Sequence, residues 1–340
     1  MPRPIRHRRL AAATIALATA LSLAPAAQAA PRALGEVQDT TDTRIRTAYA
    51  LPDDRAYPEG IAADPRTGDL YVGSYSTGAV YRITPSHRTA EVFLPADTDG
   101  RSTANGLKVD RAGRLWVTDS TAGVAVYDIR ERRLLARFDV QGEEGLFVND
   151  LAIAPDGSAY LTDSVRAVIY RVTPAQLAYT MAGSGRSTLT ARFDLSAAIG
   201  PPARDTYTLN GIVTDPSGRY LLTPDMSGGH LYRVDLASGE IRRVALRGGT
   251  MQAADGLELR HGTLWVAHNT SNTITRWHLS PDGTKARLER RVTDDALQIP
   301  TTLVRRGGHL LVVRSQFDKG GPMGPGNPHT PFSVAAVHGI

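Results

Sequence analysis

The chain has 340 residues, of which 41% are hydrophobic, with no cysteine and a formal net charge of +5. The missing cysteine excludes disulfides, thiolate metal sites and a cysteine nucleophile, so the fold must be held by its core. The basic excess comes from one end: residues 1–29 carry Arg3, Arg6, Arg8 and Arg9 and no acid, leaving 35 basic against 34 acidic residues, with no Lys/Arg stripe that would suggest nucleic acid.

In chain order the first element is the leader "MPRPIRHRRLAAATIALATALSLAPAAQA". A positive start, an apolar run and a small-x-small ending at Ala27-Gln28-Ala29 make residues 1–29 a secretory signal peptide. Arg8-Arg9 also permits twin-arginine export. The expected product is a secreted domain over residues 30–340, with no membrane contact in mature form and its oligomeric state left open.

Six similar segments follow: "GIAADPRTGDLYVGSY", "GLKVDRAGRLWVTDS", "DLAIAPDGSAYLTDS", "GIVTDPSGRYLLTPD", "GLELRHGTLWVAHN" and "TLVRRGGHLLVVRS". Each is an apolar strand, a turn containing Gly and a second apolar strand, the signature of a hairpin. The turn glycines Gly68, Gly113, Gly157, Gly218, Gly262 and Gly308 are spaced by 45, 44, 61, 44 and 46 residues. A period near 45 predicts an all-β, six-bladed β-propeller with four antiparallel strands per blade.

Outer strands are expected after most hairpins, at "GAVYRITP" with "AEVFLP", "GVAVYDI" with "LLARFDV", "AVIYRVTP", "GHLYRVDL" with "IRRVAL", and "TITRWHLS" with "ARLERRV". The sixth copy offers only "FSVAAVHGI", so "TRIRTAYAL" (43–51) is predicted to supply its missing strand and close the ring. Two insertions, 174–208 and 317–331, are rich in Gly or Pro and read as loops. They are either surface decoration or a rim over the channel mouth.

One polar residue stands just before each inner strand: Glu59, Asn105, Asn149, Asn210, Asp255 and Thr301. In a propeller these positions converge on the central channel. Two carboxylates, three amides and a hydroxyl are hard oxygen donors, suited to Ca²⁺, with Mg²⁺ or Mn²⁺ possible, and unsuited to selecting zinc or copper. The competing reading is that Asn and Asp merely cap the turn before each strand. Glu59 in "PEG" fits that reading poorly.

The pieces "YPEGIAADPRTGDLYVGS", "VNDLAIAPDGSAYLTDS", "LNGIVTDPSGRYLLTPD" and "ADGLELRHGTLWVAHN" resemble the regucalcin–gluconolactonase (senescence marker protein-like) family of calcium-dependent lactonases. The resemblance implies metal ligands at Glu59, Asn210 and Asp255, with Asn149 on metal, bound water or substrate, and Asn105 lining the channel. It also implies Asp255 as general base for hydrolysis of a small lactone or related ester. No G-x-S-x-G elbow and no H-E-x-x-H occurs.

Tyr75, Asp119, Asp163, Asp225, His268 and Arg314 end the second strands. Most read as strand-end residues meeting water. Asp163 and His268 remain channel or substrate candidates, His268 as a hydrogen-bond donor or proton carrier. The tryptophans Trp116, Trp265 and Trp277 read as packing. Two function classes stay open: a metal-dependent lactonase, and a non-catalytic propeller that binds a ligand or protein around a structural calcium. A metal-free lyase on the same fold is disfavoured by Glu59 with Asp255.

Overall fold

The computed structural model describes residues 43–142, 145–201 and 206–340. The export signal read in residues 1–29 lies outside the described residues. Nearly all the regular structure of the described chain is β-strand, in a propeller-like arrangement. Strands Pro58–Ala63, Leu70–Ser74, Val80–Ile83 and Glu91–Leu94 pair in sequence order as the first sheet. Val213–Thr214, Tyr220–Asp225, His230–Asp235 and Ile241–Arg243 form another in the same way.

The strand Arg44–Ala50 pairs antiparallel with Ser333–His338, beside His309–Arg314 and Pro300–Arg306. The N-terminal strand thus completes the sheet of the last repeat, where the sequence lacked one. The inner hairpins behave as read. All six turn glycines take a left-handed φ, between 69° and 84°, which a side chain adopts only at a cost.

Two expectations need correction. The segment 174–208 is not simply a loop. Thr173 caps a helix Pro174–Ala182: its side chain accepts from Gln176 N, and Gln176 reciprocates on the Thr173 N–H. Pro174 at the first turn needs no partner for a missing N–H. A strand Arg186–Asp194 follows, and it supplies the outer strand that the third repeat seemed to lack.

The sheets are also not six separate ones. Arg186–Asp194 pairs in parallel with Arg133–Val140, which joins the second and third repeats into one eight-stranded sheet. Ala245–Arg247 likewise pairs in parallel with Lys285–Thr293, giving the fifth repeat a fifth strand. Long outer strands leave unpaired edges, and these pairings cover them. The segment 317–331 carries no helix or strand.

Strand alternation sends neighbouring side chains to opposite faces. Leu70 and Val72 enter one buried cluster with Leu311 and Val313, whereas Tyr71 enters another with Leu115 and Val117. Six such clusters are present among the described residues, each shared by two successive repeats. The first shares residues of the first and last repeats, so the apolar packing runs all the way round. No described helix is long and apolar enough to cross a membrane.

Candidate active site

The inner strands do not begin regularly. The pairing register shifts between Pro58 and Ile61, Val148 and Leu151, Ala254 and Leu257, and Pro300 and Leu303. Glu59, Asn149, Asp255 and Thr301 sit inside these bulges. A bulge leaves its extra residue out of the ladder and re-aims its side chain. Tyr57, Ala253 and Ile299, each two residues upstream, are left-handed at φ 37°, 55° and 59°. For residues other than glycine that costs about 1–2 kcal/mol each, and here it places the bulged residue.

The glycine after the polar residue has a separate role. Gly60, Gly106, Gly211 and Gly256 are not left-handed, so they are not turn glycines. They are sites of close approach. A methyl on Gly60 would lie 2.0 Å from Asn105 O, on Gly211 2.4 Å from Asp255 O, and on Gly256 2.8 Å from Thr301 O. On Gly106 it would lie 2.9 Å from Asn149 O. The remaining links are hydroxyls: Thr162 Oγ1 donates to Asn210 O at 2.6 Å and Thr301 Oγ1 to Glu59 O at 2.7 Å. Four backbone approaches and two hydroxyl bridges therefore link the six inner-strand entries in a closed circuit.

Glu59, Asn105, Asn149, Asn210 and Asp255 line one cavity of about 130 Å³. All five are buried. Asn149 donates its Nδ2 to Ser164 Oγ at 3.0 Å, and Asn210 its Nδ2 to Met226 Sδ at 3.3 Å. Their carbonyl oxygens are left without a partner, as is Glu59 Oε2. Asp255 Oδ2 accepts from Asn269 Nδ2 at 2.8 Å. Asn105 leaves both side-chain atoms unpaired.

Burial pushes the Glu59 carboxyl well above its ordinary range, with Asp255 and then Asp150 adding to the rise and Lys108 opposing it. Asp255 is also pushed well up by burial, against the hydrogen bond from Asn269, with Asp150 again raising it. Asp150 is thus a third buried carboxylate beside the pair. Its Oδ1 accepts from Leu151 N at 2.8 Å and lies 3.7 Å from Lys108 Nζ, while its Oδ2 has no partner. The sequence gives no spacing that singles it out.

Three sequence candidates do not line this cavity. Thr301 spends its hydroxyl on Glu59 O and Ser315 Oγ. Asp163 accepts from the N–H groups of Phe147, Val165 and Arg166 and from Tyr170 OH. His268 has both ring nitrogens engaged, Nδ1 with Gln252 O and Nε2 with Thr275 Oγ1, each at 2.8 Å. Burial lowers its pKa, and the two bonds make it an internal brace beside the cavity. Asn269, one residue on, is the side chain that turns in.

Sequence reasoning also missed the walls. Tyr75, Phe147, Tyr207, Met226, Phe317, Pro322 and Met323 complete the lining. Tyr207 ends the first insertion, and Phe317, Pro322 and Met323 belong to the second. The insertions therefore contribute rim, although the helix Pro174–Ala182 is absent from the lining.

The residues present fit a hard cation. Every orphaned atom of Glu59, Asn149 and Asn210 is an oxygen acceptor, and two mutually repelling carboxylates flank them. No group of three or more His, Cys, Asp or Glu arranged to hold a metal occurs among the described residues, so any ion here depends on the asparagine oxygens. A family model described as SMP-30/Gluconolactonase/LRE-like region matches residues 57–293. The chain belongs to that family. The matched span holds Glu59, Asn149, Asn210 and Asp255.

Solved structures share the fold at low identity. A gluconolactonase from Xanthomonas campestris is 18% identical with a TM-score of 0.59, covering 87% of this chain and 90% of its own. The calcium-binding protein regucalcin from Agrobacterium tumefaciens is 18% identical with a TM-score of 0.60, covering 86% and 96%. Virginiamycin B lyase from Staphylococcus aureus is 12% identical with a TM-score of 0.56, covering 88% and 100%. At these identities the likeness speaks to fold alone. No curated protein matches the chain.

Proposed function

We propose that this family member is an exported, divalent-metal-dependent hydrolase of lactones or related esters. Its ion would sit where six blades meet, the eight-stranded sheet counting as two of them and the five-stranded sheet as one. The observation that carries the reading is the convergence of three unpartnered, buried oxygens, Glu59 Oε2, Asn149 Oδ1 and Asn210 Oδ1, beside Asp255. Buried polar atoms are rarely left unsatisfied. The gluconolactonase and calcium-binding relatives support the same direction.

Glu59, Asn149, Asn210 and Asp255 would hold the ion, with Ca²⁺ favoured by a mixed carboxylate and amide-oxygen set. When bound, such an ion supplies polarisation of the ester carbonyl and a counter-charge for the oxyanion. Asn269 holds the Asp255 carboxylate in orientation through Oδ2. Asp255 takes a proton from the attacking water and returns it to the departing ring oxygen, giving the hydroxy acid. Ser164 fixes the Asn149 amide so that its oxygen faces the cavity.

The test is hydrolysis of simple γ- and δ-lactones by the purified protein. Activity is expected to vanish in EDTA, return with Ca²⁺, and fall about 10²- to 10⁴-fold in a folded Asp255→Ala variant. Turnover indifferent to EDTA or to that substitution sinks the mechanism. No turnover across a lactone panel, with Ca²⁺ still stabilising the fold, would leave the ion as a structural plug.

A further inference from the structure

The central cavity changes character between floor and mouth. The floor is the oxygen ring. The walls above it are Tyr75, Phe147, Tyr207, Phe317, Pro322 and Met323. The rings form a continuous belt: Phe147 meets Tyr207 with centroids 4.8 Å apart, Tyr75 lies 6.5 Å from Phe147, and Phe317 lies 5.2 Å from Tyr75. Among the described residues, Glu59 and Asp255, both on the floor, are the sole charged side chains in the lining.

The belt is built. Tyr57 OH donates to Lys319 O at 2.9 Å, and the Gln316 side chain pairs with both backbone groups of His329 at 2.9 and 2.7 Å. Those bonds hold the segment carrying Phe317, Pro322 and Met323. Phe147 is held by its N–H on Asp163 Oδ1 at 3.1 Å. At the rim Tyr207 is 48% and Met323 46% exposed. Apolar side chains kept open at the mouth of a built cavity mark a surface that a ligand covers.

The walls are poorly equipped for a polyol. Each hydroxyl of a sugar lactone buried without a partner weakens binding. Asn269 is committed to Asp255 and to the Thr270 N–H, and Asn149 Nδ2 to Ser164. Apart from the residues proposed to hold the ion, what remains among the described lining residues is Asn105 at the floor and the two tyrosine hydroxyls.

We infer that the substrate is an apolar lactone, a γ- or δ-lactone bearing an alkyl or aryl substituent, rather than a polyhydroxy sugar lactone. The ring ester sits at the floor and the substituent lies along the aromatic belt. The inference rests on the hydrolase reading above and names the substrate class for that site.

The experiment compares δ-decalactone with D-glucono-δ-lactone on the Ca²⁺-loaded full chain. The expected kcat/KM favours δ-decalactone by at least about tenfold, the discrimination that a few methylenes earn in an apolar pocket. Tyr207→Ser and Met323→Ser stand on the exposed rim, where folding is not at risk. Each is expected to reduce the preference ratio about fivefold, through KM rather than kcat.

A preference for the sugar lactone, or a ratio unmoved by both variants, overturns the substrate class and leaves the hydrolase intact. If neither lactone turns over, the hydrolase reading fails. Calorimetry with the unreactive δ-lactams of the same two skeletons then decides the pocket's chemistry separately. Tighter binding of the pentyl-substituted lactam upholds the apolar class, and equal or reversed binding overturns it.

Discussion

Calcium should reverse the sign of one substitution. Without a cation the ring buries three oxygens that nothing satisfies, on Glu59, Asn149 and Asn210. At about 1–3 kcal/mol per unsatisfied group the ring stores roughly 3 to 9 kcal/mol that an ion can recover. Ligand excess of about 1,000 times Kd stabilises by about 4 kcal/mol, which is inside that range. For a chain of this size, at about 2 °C per kcal/mol, Tm should rise by about 8 °C. Glu59→Gln changes both states. In EDTA it removes a carboxylate that burial and Asp255 push well above its ordinary value, so the variant should be the more stable protein. In Ca²⁺ it has lost a charged ligand and should be the less stable. The pH dependence has a definite sign. A carboxyl whose folded pKa is raised stabilises the fold at low pH and ceases to do so as pH climbs from the ordinary carboxylate value through the raised one. The Ca²⁺-induced rise in Tm should therefore grow across that climb. Differential scanning calorimetry of both proteins, with EDTA and with Ca²⁺, reads all of this. A Glu59→Gln protein that is equally destabilised in both buffers would refute the argument, because it would make Glu59 a packing residue.

Other expectations concern the scaffold. Gly60→Ala would put a methyl 2.0 Å from Asn105 O and should cost about 3 kcal/mol or more by denaturant titration. Gly68→Ala, left-handed at 77° but 3.5 Å from its nearest neighbour, should cost only about 1–2 kcal/mol; equal losses would deny the close approach between repeats. His268 has its pKa lowered by burial, so the fold should lose stability as pH falls below the ordinary histidine value, near 6.5. That acid slope should flatten in His268→Gln, and an unchanged slope would place the responsible group elsewhere. Thr173→Ala removes the hydroxyl that accepts from Gln176 N, one half of a capping box, and should lower stability by about 1 kcal/mol, with lactone turnover unaltered because the helix is outside the cavity lining.

The parts of this molecule that could be read from its sequence are those that repeat. A turn glycine recurs because the hairpin needs φ near 75° six times. The polar residue ahead of each inner strand could be aligned because it occupies the same bulge or its counterpart in every copy. The role of the glycine that follows it was hidden for a local reason. "Asn-Gly" and "Asp-Gly" look like turn dipeptides, yet here the glycine admits a neighbouring carbonyl that is distant in sequence. The outer strand Arg186–Asp194 escaped because only Leu189 and Phe193 are buried along it; two buried positions four apart do not show the period of two that marks a strand. His268 failed as a candidate by one position. Its pairing partner is Ala254, and adjacent residues face opposite ways, so Asn269 enters the cavity and His268 the space beside Gln252 and Thr275.

Asp150 and the aromatic belt were hidden for a deeper reason. The partner that makes sense of Asp150 is Lys108, on the neighbouring repeat's inner strand, and no spacing within either repeat announces that pair. Tyr207, Phe317 and Met323 stand outside the six hairpins, on insertions with no second copy to align, and Phe147 stands two residues before Asn149, where other repeats carry Tyr57, Ala253 and Ile299. The donors proposed for the ion stand at positions the repeat supplies in every turn of the ring, and symmetry exposes them to comparison. Selectivity needs the opposite. A pocket that grips one side of a substrate must be asymmetric, and here part of its wall comes from segments that break the repeat, beside Tyr75 and Phe147 within it. The two interruptions of the 45-residue rhythm therefore marked where selectivity would be found, although their own composition did not say what it selects.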